Sequence, residues 1–228
     1  MTIATPPSGV LANAASDRLA DVRSKLVGSQ LIRMGGAALT RLLDDEGLAL
    51  LREEAVAGYA NASVAYVDQP RDEDNRRGDP DRWLEWAPGG PALLAFYRAA
   101  DTLELLRRLT GVEWAPSGTD GTYSYYVKAG HHLGLHRDIE VCDIAVITCL
   151  HDDAPEGIGL AGTLCLYPDR TRERLSSIRG SLERGASYTR LEPGQSLILL
   201  GGMVPHRLVA MAKEHRRIIA PLCYQVRP

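Results

Sequence analysis

The chain has 228 residues, 45% of them hydrophobic and 24% charged, and a formal net charge of −3. That length buries a core without a structural metal or a disulfide, and the balance is that of a globular protein, not of a disordered or fibrous one. The slight acidity excludes the basic footprint of a nucleic-acid-binding domain, and no apolar run approaches the ~20 residues that cross a bilayer.

Residues 1–25 are weakly patterned and contain Ala, Ser and Pro, which reads as a mobile tail leading into a short helix. They have neither a basic start nor a continuous apolar stretch, so a signal peptide is not expected and the expected location is cytoplasmic. Residues 26–228 read as one domain: a helical support over 26–111 and a β core over 112–228. Asp44–Ala57 is expected to be helical. Acidic residues open it, at the positive end of the helix dipole; Leu48, Leu50, Leu51 and Ala55 form an apolar stripe, and Gly58 stops it. Asn61–Gly90 is polar, with the run Arg71–Pro80 followed by Trp83 and Trp86, and reads as a candidate lid loop. Pro91–Thr110 is expected to form one helix, with Pro at its first position and Gly111 as its stop.

After Gly111 the texture changes. Tyr123–Lys128, Ile144–Leu150, Gly162–Tyr167, Ser196–Leu200 and Arg217–Val226 are β-rich runs separated by Gly, Pro and Asp. The charged segment Arg170–Arg184 interrupts them as a helix-capable or loop insert. Short strands with regular turn signals indicate a sandwich or barrel. The fold class is therefore mainly β with N-terminal helices. The four cysteines, Cys142, Cys149, Cys165 and Cys223, form no CxxC pair and sit among β-branched and apolar residues. They read as free core thiols of a reducing compartment.

The chemistry gathers on three residues. His136 and Asp138 stand two apart, a spacing that puts both side chains on one side of a strand. His206 follows the turn Gly201–Pro205 and can reach the same point from a neighbouring strand. Two imidazoles and one carboxylate on one face of a metal leave the opposite positions open, the arrangement that suits non-haem Fe(II). Arg216 and Arg217, ten and eleven residues after His206, introduce the last β run. A guanidinium beside an open metal position is suited to hold a carboxylate bidentately. His131, His132, His151 and His215 read as turn or loop residues.

From Tyr123 to Tyr224 the sequence resembles the 2-oxoglutarate- and Fe(II)-dependent dioxygenase superfamily, in its prolyl-hydroxylase-like branch. The resemblance rests on Tyr126–Gly130, His136-Arg137-Asp138, Gly162–Pro168, Glu192–Ser196 leading to His206, and the Arg216-Arg217 run. It implies a double-stranded β-helix (jelly-roll-like) core packed against helices, and an enzyme using Fe(II), 2-oxoglutarate and O2. His136, Asp138 and His206 match the iron ligands. Arg217 matches the 2-oxoglutarate cation best, with Arg216 as runner-up. Many relatives carry Arg-x-Ser here; Ile219 stands where that Ser would be, so a hydroxyl from elsewhere is needed, and Tyr126, ten residues before His136, is the nominee. The carboxylate of Asp138 favours hydroxylation over halogenation, while desaturation, epoxidation and ring formation share the same oxidant. The expected substrate is a small metabolite, an amino acid or natural-product intermediate, met by Arg77, Arg82, Trp83 and Trp86 of the lid loop; a peptidyl or protein side chain is the alternative. A cupin-like metal-binding protein or a Zn hydrolase would use the same triad but leaves the paired arginines unexplained. The sequence assigns no oligomeric state.

Overall fold

The computed structural model describes residues 19–71, 78–118 and 120–227. Its described part opens with α1 (19–26), which occupies the end of the expected N-terminal tail, and a short α2 (Gln30–Arg33) capped by Ser29. Strand β1 (Ala37–Arg41) leads to α3 (Asp45–Gly58), whose first turn is closed by the Asp44 side chain accepting from the Gly47 N–H. Leu48, Leu51 and Ala55 are its buried face, whereas Leu50 is exposed.

The described residues of the polar stretch 61–90 include two strands. β2 (Ser63–Val67) and β3 (Arg82–Pro88) pair antiparallel, and Arg71 and Asp79 form a further bridge. The residues of β2 are exposed or half-buried, so its apolar signal is weak, yet its ladder with β3 satisfies the backbone. Arg77 lies outside the described residues. The expected helix over 91–110 is two: α4 (Pro91–Tyr97) and α5 (Ala100–Thr110), broken where Ala99 turns extended. Gly111 ends α5 in the left-handed conformation. The α4 N-terminus has no cap of its own. Glu54 of α3 supplies one, accepting from the N–H groups of Gly90, Ala92 and Leu93 and from the Tyr123 hydroxyl.

The remaining strands are β4 (Trp114–Pro116), β5 (Thr122–Tyr126), β6 (His132–His136), β7 (Ile144–Asp152), β8 (Leu164–Leu166), β9 (Ser187–Thr189), β10 (Gln195–Leu199), β11 (His206–Leu208) and β12 (Arg217–Val226). Between β8 and β9 the charged insert forms a turn and α6 (Leu175–Arg179). All described pairings are antiparallel and join into one curled sheet, in the order β1-β10-β7-β12-β5-β3-β6-β11-β8-β9, with β2 on β3 and β4 on β12. Thus β1, β2 and β3 of the expected helical support belong to the sheet. Residues 144–150 of β7 are buried without alternation, as a strand covered on both faces must be.

Two of the four cysteines are not free thiols. Cys142 and Cys223 form a disulfide, with Cα atoms 4.9 Å apart across the start of β7 and the end of β12. Cys149 and Cys165 are free and buried, as expected. The correction has a simple cause: pairing of remote strands, absent from any local spacing, decides which sulfurs meet. Among the described residues no helix is long and apolar enough to cross a membrane.

Candidate metal centre

His136 is the last residue of β6, and His206 the first of β11; the two are direct partners in the antiparallel ladder. Their rings are 4.2 Å apart between centroids. Asp138 lies beyond the end of β6, held by its own N–H donating to the Gly201 carbonyl at 2.9 Å. Its Oδ1 is 3.5 Å from Nε2 of His136 and 3.5 Å from Nε2 of His206. His136 and Asp138 therefore do not share one strand as their spacing suggests: the pleat ends at His136, and the Gly201 carbonyl holds the Asp138 backbone. Among the described residues these three form the one group whose potential ligand atoms converge, all within 4.8 Å of one another.

The tautomers follow from the backbone. Nδ1 of His136 is 2.9 Å from the Gly134 carbonyl, and Nδ1 of His206 is 3.0 Å from the Val204 carbonyl. A carbonyl only accepts, so each Nδ1 carries the proton and each Nε2 presents its lone pair to the Asp138 side. The electrostatics distinguish the two rings. Burial by itself would raise the Asp138 pKa, but the two imidazoles outweigh it and hold the carboxyl well below its ordinary range. Burial, helped by His206, lowers the His136 pKa and keeps that ring neutral. At His206 the Asp138 charge overcomes burial and raises the pKa. An anionic carboxylate flanked by two Nε2 atoms fits a divalent cation, which would take the place of the proton that Asp138 draws to His206.

Arg137, between the ligands, points away as its position demands. It donates to the carbonyls of Met203, Thr171 and Glu173, tying the ligand turn to two neighbouring segments.

Arg217 begins β12 and is fully buried. Its Nη1 donates to Asp152 Oδ2 at 3.1 Å and to the Gly162 carbonyl at 2.9 Å, across to the turn that feeds β8. Its Nε and Nη2 are buried and have no partner. Asp152 is itself held by Nε2 of His215 at 2.9 Å. His215 is 1% exposed and His131 is fully buried, so neither is the solvated turn residue that its local sequence suggests. His215 is drawn in by Asp152, and His131 by the Val127 N–H and the edge of Trp83. Tyr126 is the ladder partner of Arg217, so their side chains share a face. It is buried, and burial raises its pKa against the opposing effect of Arg217, so the phenol stays protonated. Arg216, in contrast, is exposed.

A small cleft beside His136 is lined by Arg71, Asp79 and Pro80 of the β2–β3 hairpin and by Leu175 and Arg179 of α6. Arg82, Trp83 and Trp86 lie further along β3 and do not line it. Arg82 pairs with Asp79, Trp83 packs edge-on against Tyr66 and His131, and Trp86 is 39% exposed. Sequence reasoning missed Arg71, Asp79 and Arg179; the hairpin bridge that brings Asp79 to this place leaves no local signature.

No protein-family model matches the sequence, and no curated protein matches it. Solved structures do. A Pseudomonas putida prolyl-4-hydroxylase superposes with a TM-score of 0.55 at 16% identity, covering 92% of this chain and 100% of its own. The non-haem alpha-ketoglutarate-dependent epimerase SnoN from nogalamycin biosynthesis gives 0.63 at 12% identity, covering 90% and 83%. The chain has the double-stranded β-helix fold of the 2-oxoglutarate/Fe(II) oxygenases. HygX from Streptomyces hygroscopicus, solved with nickel, 2-oxoglutarate and hygromycin B bound, shares this double-stranded β-helix with a TM-score of 0.54 at 13% identity, covering 83% and 82%. In the double-stranded β-helix of this chain, β6 and β11 bring the two histidines together and β12 carries the buried arginine.

Proposed function

We propose that this protein is a 2-oxoglutarate- and Fe(II)-dependent oxygenase that hydroxylates a small metabolite. The observation that carries the reading is the unpartnered edge of Arg217. Nε and Nη2 form the side of a guanidinium that takes a carboxylate bidentately, and leaving them buried and unpaired costs stability unless a ligand fills them. A dicarboxylate matches that edge at one end and a metal at the other. His136, Asp138 and His206 would hold Fe(II), and Arg217 the distal carboxylate of 2-oxoglutarate. When bound, iron with 2-oxoglutarate and O2 supplies the oxidative decarboxylation to succinate and CO2 that drives C–H hydroxylation.

The residues of this chain do the remainder. Asp152 and the Gly162 carbonyl occupy Nη1, and His215 holds Asp152, so the guanidinium is fixed with its other edge free. Asp152 also balances one of the two cationic groups near it, Arg217 at 3.1 Å and Arg190 at 3.8 Å. Tyr126 offers a hydroxyl on the same face, in place of the serine that Ile219 replaces. The carbonyls of Gly134 and Val204 fix the imidazole tautomers. Arg71, Asp79 and Pro80 with Leu175 and Arg179 of α6 wall the approach to His136.

Two measurements test the reading. Adding Fe(II) and 2-oxoglutarate without oxygen is expected to produce a visible charge-transfer band. With oxygen, succinate release is expected to follow, and a screen of amino acids and metabolites should yield a product heavier by one oxygen. A protein that binds zinc tightly, shows no band and makes no succinate would instead be a hydrolase or a metal-binding protein.

A further inference from the structure

A second cavity, of about 500 Å3, lies on the other side of β12 from Arg217. Neighbours along a strand point to opposite faces. Arg217 is fully buried, so Arg216 and Ile218 line the outer face, and they do line this groove. Its floor is apolar: Val56 of α3, the ring of Tyr125, and Ile218. Its rim holds three cations brought from three separate elements, Arg52, Lys128 and Arg216.

One of the three is already neutralised. Lys128 pairs with the buried carboxylate of Glu85, which also accepts from the Tyr59 hydroxyl at 2.6 Å. The two guanidiniums are not. Among the described residues Arg52 Nη2 meets Nδ1 of His151 at 3.5 Å. Asp153, the acidic group nearest the rim, is turned to the backbone N–H of Arg216 and to His151 Nε2 at 3.4 Å. Among the described residues no carboxylate pairs with the Arg52 or Arg216 guanidinium. Two uncompensated cations above an apolar floor are complementary to a ligand with an anionic head and an apolar body.

We propose that this groove is a binding site for an amphipathic monoanion, with an acyl or aryl body on the Val56–Tyr125–Ile218 floor and a carboxylate, sulfonate or phosphate held by Arg52 and Arg216. The site is separate from the metal centre and does not depend on the function proposed for it. Decanoate is the probe, titrated calorimetrically into the whole protein in the presence of excess 2-oxoglutarate. Saturable binding is expected, with decan-1-ol at least tenfold weaker and Arg52→Glu and Arg216→Glu each weakening decanoate at least tenfold. Arg52 is exposed, and a melting temperature equal to the parent's establishes that Arg52→Glu is folded. The proposal is overturned by any of three results: no saturable decanoate binding, equal affinity for the alcohol, or charge-reversal variants that bind like the parent. Displacement of decanoate by 2-oxoglutarate would place the probe at Arg217 and overturn it as well.

Discussion

His136 and His206 face each other across a single ladder position, and each turns its Nδ1 to the carbonyl two residues behind it in the chain. Two rings on different strands are thus oriented by the same local device, and both Nε2 atoms meet at the Asp138 carboxylate. Such outer contacts alone are worth about 10- to 100-fold in metal affinity. His136→Ala, His206→Ala and Asp138→Ala are each expected to weaken Fe(II) binding by at least about 100-fold. Anaerobic Fe(II) titration checks this, and wild-type affinity in any of the three would remove that residue from the ligand set.

Arg217→Ala is expected to raise the KM for 2-oxoglutarate by two orders of magnitude or more, since losing one partner of a buried charge pair costs about 2–5 kcal/mol. Arg217→Lys keeps the charge but not the fork, and should recover only part of the loss. The effect of Arg216→Ala is expected to be at least tenfold smaller, because its side chain lies on the other face of the sheet. Steady-state kinetics of uncoupled succinate release decide the matter, and equal effects of the two alanine variants would contradict the assignment.

Glu54 stabilises α4 from another helix. Glu54→Gln is expected to cost about 2 kcal/mol, the magnitude for weakening charge-assisted bonds to a helix end. Burial alone would raise its pKa, but the Tyr123 hydroxyl and the Ala92, Leu93 and Gly90 N–H groups prevail and lower it. The folded protein therefore binds this proton less tightly than the unfolded chain does. The contribution is complete above the unfolded carboxyl value of about 4.3 and is lost as pH falls through the lower folded value. Urea midpoints measured from pH 7 to pH 3 should fall less steeply at the acid end in Glu54→Gln than in the parent.

The Cys142–Cys223 disulfide closes a loop of 81 residues. By loop-closure entropy such a bond contributes up to about 4 kcal/mol, or roughly 10 °C in Tm for a domain of this size. The Cys142→Ser/Cys223→Ser double variant is expected to melt lower by several degrees while keeping the fold. Peptide mapping without reductant identifies the pair. Finding both residues as free thiols in the native protein would contradict the bond.

The convergence of His136, Asp138 and His206 was partly legible, since two of the three are close in sequence. His136 and Asp138 are two residues apart, and β12 begins at Arg217 as its apolar run suggests. Arg217 is buried and Arg216 exposed, as the strand that follows them suggests. What escaped was non-local. The half-exposed β2 becomes a strand only through its ladder with β3. His215 looks like a turn residue until Asp152, 63 positions away, accepts from it. The break between α4 and α5 was hidden because Arg98-Ala99 carries neither Gly nor Pro. The disulfide required knowing that β7 and β12 are neighbours.

Gly201 sets a limit on what the metal centre can become. Its carbonyl holds the Asp138 backbone, and a Cβ added at 201 would lie 1.7 Å from Asp138 Oδ2. The main chain itself is therefore one wall of the carboxylate's berth. A single methyl group there would evict the ligand although residue 201 coordinates nothing. An inventory of the three donors thus understates how many positions of this chain the chemistry forbids to vary.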